Sequence, residues 1–218
     1  MTKSVLAAAI LLSLVACSEK PAETASATEI MATATPETPT DPETAMTPET
    51  EKSGFKQELE LQGIRFVVEA TNEGSLNNLT ISPSGLSEVN DVISREIEGS
   101  VTKVEIEDVN ADGSPELYVW VTSAGSGSYG IPIGYSANNK KSLSEIYFPP
   151  VSEDPVNSKG YMGHDEFVVG EGIIAQRFPI YNEGDNNANP TGKTRQLQYK
   201  LTAGEAGWVM KVDRVVEF

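Results

Sequence analysis

Cysteine occurs once in the 218 residues, at Cys17, and histidine once, at His164. One cysteine excludes an internal disulfide, and with one histidine beside it the chain lacks the ligands of a Cys/His zinc site. A Ser-His-Asp hydrolase would need His164 as its base, oriented by Asp165 or another acid. Asp165 is its chain neighbour, and neighbouring side chains on a strand point to opposite faces. No G-x-S-x-G elbow occurs either, so His164 reads as a structural, hydrogen-bonding residue and the chain as no enzyme. Cationic residues are scarce: 16 Lys and Arg stand against 32 Asp and Glu, for a net charge of −16. The acidic excess runs through residues 55–218, which excludes a nucleic-acid-binding face, because phosphate neutralisation needs basic residues. The same field favours a cationic partner by steering encounter, although it also serves plain solubility. Long apolar runs are absent as well. The apolar stretch Val5–Val15 falls short of the ~20 residues that a spanning helix needs.

That stretch has the length of a signal-peptide core, and Lys3 supplies its positive flank. It ends in Leu14-Val15-Ala16-Cys17, which resembles the lipobox of bacterial lipoproteins. The resemblance implies removal of residues 1–16 and lipidation of Cys17. Several acyl chains then anchor the protein, at ~0.8 kcal/mol per buried methylene. Ser18 stands where many inner-membrane lipoproteins carry Asp, so the resemblance points to the outer membrane, facing the periplasm or the surface, of which the periplasm is the expected side. From residue 17 to 54 the chain is rich in Thr, Ala, Pro and Glu and repeats Pro-Glu-Thr at 36–38, 42–44 and 48–50. Such a segment buries too little apolar surface to offset its ordering entropy, and Pro and like charges extend it. It reads as a disordered tether.

Residues 55–218 suit one domain with a proper core. The pattern there is strand after strand: "IRFVVEA" (64–70), "LTISPSG" (79–85), "VTKVEIEDV" (101–109), "PELYVWVTS" (115–123), "GIPIGYSA" (130–137), "SLSEIYF" (142–148), "DEFVV" (165–169), "IIAQRFPIY" (173–181), "RQLQYKLTA" (195–203) and "GWVMKVDRVVEF" (207–218). Val104 and Ile106 alternate with Lys103, Glu105 and Glu107, as on a half-buried strand. The 115–123 run carries β-formers on both faces and reads as central. Regular turn signals predict an all-β, antiparallel β-sandwich. Only "SGLSEVNDVISRE" (84–96) has a weakly helical period, so at most one short helix is expected.

Two motifs bear on chemistry. Gly125, Gly127 and Gly130 spell G-x-G-x-x-G, but a dinucleotide turn needs a following helix, and Ile131-Pro132-Ile133-Gly134-Tyr135 is a strand pattern. "DVNADG" offers Asp108, Asn110 and Asp112 as weak candidates for a calcium loop. The bidentate Glu of that loop would fall at Val119, and flanking helices are missing. A tight turn with Asx side chains bonding its backbone is the better reading. No cofactor is expected.

The segments "VNADGSPELYVWVTSAGSGSYG", "GYMGHDEFVV" and "QRFPIYNEGDNNANPTGKTRQLQYKL" resemble the periplasmic inhibitors of invertebrate-type (I-type) lysozyme, in the family's order and with similar separations. The resemblance implies a β-sandwich whose S-G-x-Y loop, here Ser126-Gly127-Ser128-Tyr129, enters and occupies the lysozyme cleft. It implies an I-type lysozyme as the cationic partner and protection of peptidoglycan as the outcome. The second loop, 185–195, is expected to flank the first, with Thr191, Lys193 and Arg195 as contacts; Lys193 stands where the family pattern carries Gly. The alternative is an envelope lipoprotein with a structural or calcium- or ligand-binding sandwich and no lysozyme target. The sequence leaves a homodimer open.

Overall fold

The computed structural model describes residues 54–170 and 172–218. The expected signal peptide, the lipidated Cys17 and the tether up to residue 53 lie outside the described residues, as does Glu171 in the turn at 170–172.

The described residues form an all-β fold in two sheets. Strands Phe55–Leu61 (β1), Ile64–Ala70 (β2), Leu76–Ser84 (β3) and Ile93–Glu98 (β4) make a four-stranded antiparallel meander. The second sheet contains Ser100–Glu107 (β5), Glu116–Thr122 (β6), Gly130–Asn138 (β7), Ser142–Tyr147 (β8), Glu166–Gly170 (β9), Ile173–Pro179 (β10), Thr194–Ala203 (β11) and Trp208–Glu217 (β12). Its spatial order is β5-β6-β7-β8-β12-β11-β10-β9. All neighbours are antiparallel except β8 and β12, which meet in parallel through Trp208 with Ile146 and Val209 with Tyr147. The sheet curls toward closure, bringing β9 near β5.

Strand β6 holds the architecture together. Leu117, Val119 and Val121 face Ile64, Phe66, Val68, Leu79 and Ile81 of the small sheet, giving the sandwich core. Tyr118 and Trp120 face the other way, into a second core with Ile174, Phe178, Leu197, Tyr199 and Met210. Both faces of β6 are therefore buried, as its run of β-formers predicts. Each fully buried large apolar side chain contributes roughly 1.5–3 kcal/mol. In the second core Trp120 stacks on Phe167 at 4.4 Å between ring centres and meets Phe148 edge-on, while its indole N–H donates to Glu105 at 2.7 Å. The strand that leads into the glycine-rich segment is thus clamped on both sides just before the chain leaves it.

Two elements differ from expectation. Residues 84–96 form no helix. Gly85 takes φ +89°, and the Asn90 side chain accepts from the Leu86 N–H and donates to the Leu86 carbonyl. The Ser87 and Val89 N–H groups donate to the carbonyls of Lys140 and Lys141. These bonds take the groups a helix would pair, and Ile93–Glu98 pairs with β3 instead. The only helical turn among the described residues is the 3-10 turn Val151–Glu153. The second difference is β1, whose charged outward positions hide its strand character, as is usual at a protected sheet edge. Gln62 and Gly63, both at positive φ, join it to β2 as a tight hairpin turn.

Candidate functional site

The hairpin between β6 and β7, residues 123–129, presents Ser126-Gly127-Ser128-Tyr129. Its base is closed by Ser123: the Ser123 N–H donates to the Tyr129 carbonyl and the Tyr129 N–H donates to the Ser123 Oγ, each at 2.9 Å. Within the loop the Ser128 N–H donates to the Gly125 carbonyl at 3.0 Å, and Ser128 sits at φ +43°. Ser126 is exposed, Gly127 is buried, and Tyr129 is 43 % exposed. Among the described residues the Ser126 and Ser128 hydroxyls have no hydrogen-bond partner. Two hydroxyl donors therefore stay unpaired on a backbone that is itself tied down.

The segment 161–165 forms the bed of this loop. A Cβ on Gly163 would collide with the Gly127 carbonyl, and one on Gly127 with the Tyr129 ring, so both glycines are required by close approach. The His164 N–H donates to the Gly127 carbonyl at 2.7 Å. Tyr161 meets the Tyr129 ring edge-on at 5.6 Å and packs on Phe178 behind it. Asp165 receives three donors: the Gly130 N–H at 2.8 Å, the Tyr161 hydroxyl at 2.7 Å and the Gln176 amide at 2.7 Å. Gln176 in turn accepts from the Tyr199 hydroxyl at 2.7 Å. Burial pushes the Asp165 carboxyl above its usual range, and the three donors and the neighbouring His164 oppose that rise. Burial likewise raises the Tyr161 and Tyr199 hydroxyls, so both remain donors across the ordinary pH range.

His164 lies between the two loops but forms no catalytic pair. Its ring lies 6.3 Å from that of Tyr181, its Nε2 is buried without a partner, and Asp165 bonds to other groups. Its backbone, at φ +58°, is what it contributes to the loop.

Loop 185–195 reaches the first loop through Asn187, whose side-chain amide donates to the Ser126 carbonyl. Thr191 is engaged within its own loop: its N–H and hydroxyl both donate to Asp185, at 2.8 Å each. Lys193 is exposed. Arg195 is buried and committed to the domain, donating to Glu217 through Nε and Nη2 and to the carbonyls of Asn157 and Lys159 through Nη1. The structure thus sets Asn187 beside the Ser126 loop and gives Arg195 a role in holding the 154–165 segment to β11 and β12. Nothing in the spacing marks Asn187, Tyr161 or Gln176. They converge from two separate loop segments and strand β10.

At the other end of β6 the turn 108–114 is built from its own Asx side chains. Asp108 accepts from the N–H groups of Asp112 and Gly113, Asn110 accepts from Asp112, and Asp112 accepts from Ser114. Gly113 supplies φ +83°. Among the described residues no group of three or more His, Cys, Asp or Glu side chains is placed to hold a metal ion. Beneath the turn, Glu116 is fully buried, accepting from the Val109 N–H at 2.9 Å and the Ser136 hydroxyl at 3.0 Å.

Beside the loop opens a cleft of about 400 Å³, walled by Tyr129, Ile131, Phe148, Pro150, Val151 and Tyr161. The combination is a thin loop, fixed at both ends, that carries unpaired hydroxyls and a half-exposed tyrosine next to an apolar recess. Residues 85–158 match the family model of the periplasmic lysozyme inhibitor of I-type lysozyme. The matched span includes β4 to β8 and the whole 123–129 loop, and it supports a lysozyme-inhibitor role in the cell envelope. No curated protein matches the chain.

Proposed function

We propose that this chain is not an enzyme but a lipid-anchored inhibitor of I-type lysozyme, which acts by inserting the Ser126-Gly127-Ser128-Tyr129 loop into the enzyme's substrate cleft. The observation that carries the reading is the contrast within the loop. Its backbone is bonded to Ser123, His164 and Asp165, while the Ser126 and Ser128 hydroxyls are unpaired and Tyr129 stands half exposed. A glycosidase cleft is a groove with two carboxyl groups. Serine hydroxyls donate to carboxylates, and a tyrosine adds rigid apolar area with a donor at its tip. Because the loop is already ordered, little entropy is lost when it docks. The net charge of −16 draws a cationic enzyme toward it. The lipobox-like Leu14–Cys17 supports a lipid anchor, and Ser18 after it favours the outer membrane, with the domain facing the periplasm, where the block protects peptidoglycan.

Steady-state kinetics on a soluble oligosaccharide substrate test the mode of action. The expected pattern is competitive at one domain per lysozyme: KM rises with inhibitor while kcat stays constant. A fall in kcat at constant KM rules out occupation of the cleft.

A further inference from the structure

The lysozyme reading explains the exposed part of the loop and leaves unused the half-buried carboxylate behind it. Asp165 touches both the backbone at the loop's exit and the residue supporting its tyrosine. Its Oδ2 accepts from the Gly130 N–H and from the Tyr161 hydroxyl, and the Tyr161 ring lies edge-on against Tyr129. Its Oδ1 accepts from Gln176 on β10, which accepts from Tyr199 on β11. The chain Tyr199-Gln176-Asp165-Tyr161 thus runs from the second core to the back of the Tyr129 ring. A Cβ at Gly130 would collide with Phe167 and crowd the Asp165 side chain, so the backbone there is held close against this network.

The geometry points to Asp165 as the positioning residue of the inhibitory loop, fixing through Tyr161 and the Gly130 amide the direction in which Tyr129 is presented. This rests on the loop being the inhibitory surface, but the positioning itself is a property of the free domain. Each link has the donor and acceptor it needs. An ionised Asp165 only accepts, and each of its three neighbours has a hydrogen to give. Because the Asp165 carboxylate only accepts, it sets the Gln176 amide with its N–H group inward and its oxygen toward Tyr199, whose hydroxyl then donates to it. Asp165 lies outside residues 85–158, as do Tyr161, Gln176 and Tyr199. The matched span supplies the loop, and residues on its C-terminal side supply the support.

Three measurements separate this from a general effect on folding. In the free domain, amide exchange at Gly130 is expected to be slow and to rise at least tenfold in Asp165→Leu, which keeps the forked shape but removes the acceptors. In Asp165→Asn the amide oxygen takes over the Gly130 and Tyr161 bonds. Gln176 then turns over to accept from the new N–H group, so Gly130 exchange stays near the wild-type rate. Should Asp165→Leu misfold, Tyr161→Phe carries the test, because it removes one hydroxyl and leaves the ring packed. Inhibition by Tyr161→Phe is expected to weaken about tenfold when Tyr129 is present and to be unchanged in a Tyr129→Ala background, since coupled residues do not add. Equal losses in both backgrounds, or Gly130 exchange indifferent to Asp165→Leu, overturn the inference. If exchange responds as expected but the wild-type domain inhibits no lysozyme, the positioning stands and the lysozyme reading alone falls.

Discussion

Tyr129→Ala is expected to raise the inhibition constant against an I-type lysozyme about 30-fold, the effect of losing roughly 2 kcal/mol at an interface anchor. The residue type suits that size. A tyrosine ring carries large contact area on two rotatable bonds, and here the ring is already held by Tyr161 and by the flat surface of Gly127. Ser126→Ala removes a single donor and is expected to cost about tenfold, as befits a hydrogen bond to a charged group. Both side chains are exposed, so the thermal midpoint of each variant should remain close to that of the wild type. The comparison is made with inhibition titrations and melts on the same preparations. Full inhibition by the Ser126→Ala/Tyr129→Ala double variant would contradict insertion of this loop.

At the opposite end of β6, Glu116→Gln is expected to stabilise the domain at pH 8 by about 2 kcal/mol, less than the full shift implies because the neighbouring turn is exposed. Burial of Glu116, with Asp112 and Asp108 nearby, raises its pKa from 4.5 to about 7, against the opposing bonds from Val109 and Ser136. The folded value lies above the unfolded one, so folding favours the protonated form. The stability this contributes is fully present below about 4.5 and is lost as pH rises through about 7. Glutamine fits the same site: its oxygen accepts from Val109 and its amide donates to Ser136. At pH 8 the variant's midpoint should exceed that of the wild type by ~4–8 °C, and at pH 4 the two should coincide. A lower midpoint for the variant at pH 8 would mean that the ionised carboxylate is needed in the fold.

Much of this organisation is legible in the sequence, for definite reasons. Strand β6 has no polar alternation, and a strand buried on both faces cannot have any. Val104 and Ile106 alternate with charged neighbours because one face of β5 meets the core. The glycines at 125, 127 and 130 fit no nucleotide turn, because the strand pattern after them is unmistakable. What stays hidden is hidden by tertiary context. The 84–96 segment carries a faint helical period, but its N–H groups find carbonyls at residues 140 and 141. His164 and Asp165 read as no catalytic pair because they are adjacent, but nothing local tells that the carboxylate bonds Gly130, Tyr161 and Gln176. Arg195 looks like a free cation on a loop, while in the fold Glu217 and two carbonyls already claim it. The support of the loop is assembled from residues 161–199, and no local pattern can announce a contact made across that distance.

The most direct test of the whole account is a titration of the purified domain, residues 55–218, against a panel of invertebrate-type, chicken-type and goose-type lysozymes. The expected result is stoichiometric inhibition of the invertebrate-type enzyme, with activity of the other two largely retained. Undiminished activity of all three enzymes at excess domain would contradict it.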